Sequence, residues 1–226
     1  MILQALAAYY QRIAREGKTR IVPEGFQKQE IPFLIILNRQ GKFVGLQDTR
    51  QGEGKRKVAR AFEVPKAVKK SVNIAANLLW GSPAYVLGCP KPDEKKDAQK
   101  LLDRAKEQHA CFITRIRETF PEPVTDEGVA AVVRFLERGD FSLVLSHPLW
   151  PEIEKKGGNI TFQLEEDTVL VCQREAVIDA ITNTKEENGE RQTCIVSGEL
   201  DQPVRLHTAI KGVWGAQPSG ANIISF

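Results

Sequence analysis

Long apolar runs are missing from this sequence, and no stretch approaches the roughly 18 consecutive apolar residues that a membrane-spanning helix needs. Residues 1–18 read MILQALAAYYQRIAREGK. They do not form a secretory signal peptide, because Gln4, Gln11 and Arg12 interrupt the apolar residues and no small-residue cleavage site follows. We therefore expect no membrane contact. Helical spacing instead predicts an amphipathic helix with Leu3, Leu6, Tyr10 and Ile13 on one face.

Cysteine is scarce, and Cys89, Cys111, Cys172 and Cys194 form no CxxC pair. A zinc centre therefore has little support. A disulfide framework is not expected either, because such frameworks belong to much shorter secreted chains than one of 226 residues. We expect four reduced, mostly buried thiols in a cytoplasmic protein that binds no metal.

Catalytic motifs are also absent. His109, His147 and His207 lie far apart, and the sequence has no HExxH, no GxSxG, no phosphate-binding P-loop and no dinucleotide fingerprint. We expect a protein that is not an enzyme and needs no cofactor. One alternative stays open: His207 as acid–base and Lys211 as charge stabiliser would suit metal-independent RNA cleavage.

Charge is distributed unevenly, although the net charge is only +3. Residues 39–70 hold ten Lys/Arg against three Asp/Glu, a net charge of +7. Residues 152–201 hold five against twelve, a net charge of −7. A field polarised in this way can steer a polyanion to one part of the molecule.

The pattern of elements predicts an α+β fold, with β-hairpins or an antiparallel sheet and several packed helices. Asn38–Gly41 is a turn signal between two strands, Phe33–Leu37 and Lys42–Asp48. Helices are predicted over 66–80, over 95–120, after Thr125 and over 175–181. Further strands are predicted at 61–65, at 84–87, twice within 159–171 and at 193–196.

The basic stretch is the first candidate nucleic-acid contact. Segment 50–60 contains two glycines and no periodicity, which indicates a mobile loop or a hairpin tip. Cations at reachable spacing suit a phosphate backbone. A solvated loop is the alternative. The candidate residues are Lys55, Arg56, Lys57, Arg60, Lys66, Lys69 and Lys70.

Asn73 and Asn77 are candidates to contact base edges. They are four residues apart, so a helix over this segment would place them on one face. Amide side chains both donate and accept hydrogen bonds, which suits base edges in either groove. A capping or structural role, above all for Asn73, is the alternative.

A glycine-rich segment near the end, residues 211–222, is the third candidate contact. Glycine lets the backbone approach a ligand closely, and amide and hydroxyl groups bond to bases or phosphates. A plain turn-rich connection is the alternative, and we expect Trp214 to be buried rather than stacked on a base. The candidate contact residues are Lys211, Gln217, Ser219 and Asn222.

Four segments carry a family likeness. They are MILQALAAYYQRIA, IPFLIILNRQGKFVGLQDTRQGEGK, NIAANLLWGSPAYVLG and RLHTAIKGVWGAQPSGANIISF, and the last is the most specific. The chain resembles the large subunit of the type I-C CRISPR Cascade, a surveillance complex guided by crRNA. The likeness implies that 1–226 is the N-terminal DNA-binding domain of such a subunit. We therefore expect the helical C-terminal part of the family to be absent, in line with a strand pattern that begins at Asn222 and has no polar ending.

The resemblance implies a non-catalytic role in antiviral defence. Such subunits contact the PAM next to the target, help open the duplex and recruit a helicase-nuclease, while guide pairing reads the remaining sequence. Implied partners are therefore double-stranded target DNA, the crRNA-bound Cascade subunits and the helicase-nuclease. Gln217 is the candidate to insert where the strands separate. A purely structural adaptor is a further alternative.

Overall fold

The computed structural model describes seven ranges of the chain: 2–16, 21–52, 57–68, 74–183, 191–194, 196–201 and 214–215. The chain divides into two compact units. The larger is Val22–Thr184, and the smaller combines Met1–Ile21 with Lys185–Phe226.

The described residues of the smaller unit include one helix and one short strand pair. The helix α1, Ile2–Glu16, confirms the amphipathic helix predicted at the start. Within it the Arg12 guanidinium lies 5.2 Å from the centre of the Tyr9 ring. Two antiparallel strands, β7 (Gln192–Thr193) and β8 (Leu200–Asp201), form the pair. The strand predicted at 193–196 is thus shorter and begins one residue earlier.

A four-stranded mixed sheet is central to the larger unit. Its strands are β2 (Phe33–Leu37), β3 (Phe43–Asp48), β5 (Trp80–Gly81) and β6 (Ile160–Leu164), in the order β3-β2-β6-β5. Strands β2 and β6 run parallel, and the other two pairs are antiparallel. The predicted hairpin of β2 and β3 is confirmed. Its turn forms because Asn38 Oδ1 accepts hydrogen bonds from the backbone N–H groups of Gln40 (3.0 Å) and Lys42 (2.9 Å).

A second sheet pairs β1 (Phe26–Glu30) with β4 (Ala61–Pro65) in antiparallel register. The strand predicted at 61–65 is confirmed. Its partner β1 was not predicted. The sequence of β1, FQKQE, is mostly polar, and only Phe26 in it is fully buried. A strand with one buried side chain gives almost no alternating signal.

Three of the predicted helices are confirmed. Helix α3 (Ala98–Thr119) begins after Asp97, whose side chain accepts from the N–H groups of Gln99 and Lys100. Helix α4 (Glu127–Arg138) is capped in the same way by Asp126, one residue later than the predicted Thr125. The third is α7 (Glu175–Asn183), which extends two residues beyond the predicted 175–181. Three shorter helices were not predicted: α2 (Pro83–Val86), α5 (Ser142–Leu145) and α6 (Trp150–Lys156).

The helix predicted over 66–80 is wrong for every residue of it that the structure describes, 66–68 and 74–80. Leu78, Leu79 and Trp80 are buried in succession, so the apolar spacing reflects burial on all sides rather than one helix face. Leu79 also has a φ of 61°, in the left-handed region that side chains such as leucine rarely adopt.

Two predicted strands are also wrong. Residues 84–87 lie mostly in α2, because Pro83 starts a helical turn there. The second strand within 159–171 is replaced by an isolated bridge between Gln163 and Leu170 and a 3-10 helix at Val171–Gln173.

Both faces of the two central strands are buried, which explains their continuous apolar sequences. On one face the Phe162 ring contacts the Phe135 ring of α4, with 6.2 Å between ring centres. On the other face, the buried Thr161 hydroxyl donates to the Leu79 carbonyl (2.8 Å) and lies beside Cys172 of the 3-10 helix. The result is the predicted α+β fold, with the second sheet on the face opposite α4.

Candidate nucleic-acid interface

The described ends of segment 50–60 lie side by side where the chain leaves β3 and returns towards β4. Gln51 and Val58 exchange two backbone hydrogen bonds of 2.9 Å and so close its base. This arrangement favours the hairpin-tip interpretation of the segment. Lys55 and Arg56 lie outside the described residues. Lys57 follows them on the return strand, and its Nζ is 3.9 Å from Asp48 Oδ2.

We call residues 57–66 the cationic segment, because Lys57, Arg60 and Lys66 are its exposed cations. Arg60 and Lys66 flank β4 at its two ends. An extended chain rises about 3.3 Å per residue, so roughly 20 Å separates them. That distance corresponds to about six base pairs along a duplex. The segment can therefore follow a nucleic-acid backbone with cations at both ends.

Arg60 has no carboxylate partner among the residues that the structure describes. Its guanidinium lies over the Phe62 ring, 4.9 Å from the ring centre. The Lys66 backbone N–H donates to the Gly25 carbonyl at 2.8 Å, which fixes the backbone at the end of β4 while the side chain stays exposed. Both charges thus remain open to a ligand.

Arg50, by contrast, is committed to the protein. Its side chain is only 8% exposed, and it donates to both oxygens of Asp48 at 2.7 Å and to both oxygens of Glu152 in α6 at 3.1 and 2.8 Å. Its hydrogen bonds hold the pKa of Asp48 below its usual range and, with a weaker contribution from Lys156, lower that of Glu152 to about 2. The same network raises the pKa of Arg50, chiefly through Asp48. The network therefore anchors the base of the hairpin to α6.

Arg39 and Arg174 form a second cluster of ion pairs. Arg39 pairs with Glu127 (3.2 Å) and Glu166 (3.1 Å). Arg174, which is 19% exposed, pairs with Asp126 (2.8 Å), Asp167 and Glu127 (3.3 Å). Of the cations counted in 39–70, Arg39, Arg50 and Lys57 thus have carboxylate partners, and the largely buried Arg50 is not available to a polyanion.

Asn77 lies in the interior rather than on an exposed helix face. It is 6% exposed, and its Oδ1 accepts a hydrogen bond of 3.0 Å from the Val68 N–H. Nearby, the Trp80 indole N–H donates to the Pro65 carbonyl at 2.9 Å. Together these bonds brace the end of β4. The shared helix face that suggested base contacts is wrong for Asn77, and Asn73 lies outside the described residues.

The other site residues predicted from the sequence belong to parts of the chain that the structure does not describe. In addition to those named above, Lys69, Lys70, Lys211, Gln217, Ser219, Asn222 and His207 lie outside the described residues, so their roles stay predictions. Trp214 is described, and it is fully exposed, so the expectation of a buried tryptophan is wrong.

The four cysteine thiols form no disulfide. Cys172 is buried, and burial raises its pKa to about 12, whereas the other three are partly exposed. Within the described ranges, no group of three or more His, Cys, Asp or Glu side chains is arranged to hold a metal ion. None of the described helices combines the length and apolarity needed to cross a membrane.

Sequence reasoning missed the anchoring role of Arg50, although part of the signal was present. Asp48 and Arg50 are two residues apart at a strand end, and such residues share a face of an extended chain. Their pairing could therefore have been predicted. Glu152 is 102 residues further along than Arg50, and nothing in the local pattern links the two.

Residues 6–226 match the sequence profile of a family of CRISPR-associated proteins. The family is described as CRISPR-associated protein (Cas_Csd1), and the chain belongs to it, because the match covers nearly its whole length. It therefore acts in CRISPR–Cas defence, and family membership implies that it works within a Cas complex. None of the curated proteins matches the chain.

Proposed function

We propose that this chain is a non-catalytic, double-stranded-DNA-binding part of the large subunit of a type I-C Cascade in the cytoplasm. It contacts the PAM, aids opening of the target duplex and takes part in helicase-nuclease recruitment. The observation that carries the proposal is the cationic segment, whose Arg60 and Lys66 have no carboxylate partner in the described part of the chain. Membership of a CRISPR-associated family supplies the setting.

Electrostatics explain how such a segment would act. Cations beside a duplex displace condensed counterions, so they add affinity without reading sequence. Lys55 and Arg56, which precede Lys57 in the sequence, would add to this contact. In a guided complex, base pairing with the crRNA selects the target, so the protein needs to hold the backbone and read only a short motif.

A triple charge reversal of Lys55, Arg56 and Lys57 to Glu tests the proposal. We expect the assembled complex to bind a PAM-containing duplex at least tenfold more weakly at 100 mM salt. The slope of log affinity against log salt should also fall by about 3, because each lost phosphate contact removes roughly 0.9. Fluorescence anisotropy over a salt series measures both quantities.

The matched control reverses three exposed cations of the long helix α3: Lys95 just before it, Lys100 within it and Arg115 near its end. This variant carries the same change in net charge, and we expect it to keep most of the wild-type slope. Unchanged duplex binding by the Lys55/Arg56/Lys57 variant would contradict the role of the hairpin. A cleaved repeat RNA that disappears in His207→Ala would instead support the nuclease alternative.

A structural adaptor is the second candidate function, and an apolar groove favours it. The groove measures about 530 Å³ and lies between the start of α3, residues 88–94 and α6. Leu102 and Leu145 line it and are 44% and 40% exposed. Binding to the other Cas subunits without any binding to nucleic acid would favour this function over DNA recognition.

A further inference from the structure

A polar cavity of about 260 Å³ opens beside the base of the basic hairpin. Its floor includes Leu34 of β2, on the sheet face opposite α4, and its walls come from the ends of β3 and β4. The side chains that matter for a ligand are Gln47, Gln51, Arg60, Phe62 and Thr168. All of these residues belong to the larger compact unit.

The polar groups of this cavity are not used by the fold. Among the described residues, the side-chain amides of Gln47 and Gln51 and the hydroxyl of Thr168 make no hydrogen bond, and the Arg60 guanidinium makes no ion pair. These four side chains are exposed, so in the free protein they are hydrated and their polar groups are open to a ligand. A set of unused donors and acceptors around one concavity is therefore a candidate binding site.

The charge of the cavity favours an anionic ligand. Among the described residues, Asp48 is the only carboxylate that lines the cavity, and its charge is offset by Arg50, which also lines it. The charge that remains without a partner is that of Arg60, held at the wall by the Phe62 ring. A guanidinium binds phosphate oxygens through two parallel N–H groups, which makes phosphate a fitting anion.

The size of the cavity and its hydrogen-bonding groups further limit which ligands it can bind. A volume of about 260 Å³ lies just below the usual range for small-molecule sites, roughly 300–1,000 Å³, so its size limits the ligand to a single nucleotide at most. Amide groups can pair with a base edge by donating and accepting at once. A single nucleotide enters such a cavity only after its base has left the stack.

We propose that this cavity binds one unstacked nucleotide, with Arg60 on its phosphate and the amides of Gln47 and Gln51 on its base edge. The proposal rests on the DNA-binding function proposed above and adds to it a site for the strand released when the duplex opens. The cationic segment would hold the backbone, and the cavity would retain one base beside it.

Titration of the ¹⁵N-labelled protein with each of the four 2′-deoxynucleoside 5′-monophosphates tests the cavity directly. We expect the side-chain amide signals of Gln47 and Gln51 to shift and saturate, with a Kd on the order of 1 mM for a ligand this small. Loss of single peaks in Gln47→Ala and Gln51→Ala assigns these signals. Inorganic phosphate is titrated in parallel.

Thr168→Trp fills the cavity from its exposed rim and should weaken mononucleotide binding at least tenfold. Arg60→Lys keeps the charge but loses the two-pronged phosphate contact, so we expect a smaller loss, of about threefold to tenfold. Thr119→Trp at the end of α3 and Gln40→Ala in the β2–β3 turn lie outside the cavity and should leave the Kd unchanged. A well-dispersed amide spectrum confirms that each variant is folded.

Two results would overturn the cavity proposal: side-chain amides that do not move, or equal shifts with inorganic phosphate and with the nucleotides. Failure here is distinct from failure of the proposed function. If duplex binding depends on Lys55, Arg56 and Lys57 but the Gln47 and Gln51 amide signals do not shift, only the cavity proposal is refuted. If mononucleotides bind saturably but the duplex does not bind at all, the proposed DNA-binding function is refuted instead.

Discussion

Asn77 is a buried polar side chain that positions the exposed cationic segment through one hydrogen bond. Its buried Oδ1 holds the Val68 N–H, just beyond the last exposed cation of the cationic segment, Lys66. Even a partly buried backbone donor is costly to leave without a partner, so this bond fixes where the chain leaves β4. Asn77 therefore positions the basic surface.

We expect Asn77→Ala to lower the free energy of unfolding by about 1–3 kcal/mol, because the Val68 N–H loses its acceptor. Urea unfolding measures the loss, and faster hydrogen exchange of the Val68 amide locates it. At a temperature where the variant is folded, PAM and non-PAM duplexes should lose affinity equally. A loss confined to the PAM duplex would show that Asn77 reads bases after all.

The Arg50 network makes stability depend on pH through its two carboxylates. Asp48 and Glu152 have pKa values below their usual range because Arg50 donates hydrogen bonds to them, with that of Glu152 at about 2. A carboxyl of this kind stabilises the fold above its unfolded pKa of about 4. It loses that contribution as the pH falls through its folded value.

We therefore expect the urea midpoint of the wild type to decline between about pH 4.5 and pH 2. The decline should be smaller in Glu152→Gln, which has no carboxyl to protonate at this position. Glu154→Gln, two residues further along α6, serves as the control and should keep the wild-type decline. Superimposable pH curves for the wild type and Glu152→Gln would contradict this account of the anchor.

Among the elements, the β2–β3 hairpin is fixed to α4 through its turn. Arg134 and Arg138 donate from α4 to backbone carbonyls of the turn, at distances between 2.6 and 3.0 Å. Gly41 has a φ of +70°, and a Cβ there would lie 2.4 Å from the Ala131 carbonyl oxygen. Close approach of the turn to the helix therefore requires glycine.

Gly41→Ala should lower the free energy of unfolding by about 1–3 kcal/mol, because both the backbone conformation and the helix contact resist a side chain. Gly45→Ala in β3 is the matched control, since a Cβ there meets nothing within 4 Å. We expect its urea midpoint to stay close to that of the wild type. Equal midpoints for the two variants would show that the turn does not pack on α4 as described.

The elements that local chemistry determines were predictable from sequence. The Asn38–Gly41 turn signal predicted the hairpin because short-range hydrogen bonds create that turn. Helix α3 was predicted from the apolar spacing within 95–120, which its one-sided burial produces. The segment that ends at Trp80 was not predictable. Its conformation depends on contacts with β4 and β6, which apolar spacing does not encode.

The same division holds for the candidate site. The sequence alone indicates where positive charge is concentrated. It does not reveal that Arg39 and Arg50 are bound to carboxylates up to 127 positions along the chain, from Arg39 to Glu166. Nor does it show that Gln47, Arg60 and Thr168 line one cavity, because that depends on how three separate segments pack.

At the scale of the whole molecule, the account depends on where the charges lie in the assembled Cas complex. The larger unit presents exposed cations along the cationic segment, while Arg39, Arg50 and Arg174 form ion pairs with carboxylates of the protein. Such an arrangement attracts a polyanion to the edge that carries the cationic segment.

Photo-crosslinking of the assembled complex to a PAM-containing duplex, with the protein contacts mapped by mass spectrometry, tests this claim most directly. The account predicts crosslinks on peptides that contain Lys57, Arg60 and Lys66, which diminish as salt is raised. Crosslinks that avoid residues 57–66, with those lysines protected by another Cas subunit instead, would contradict it.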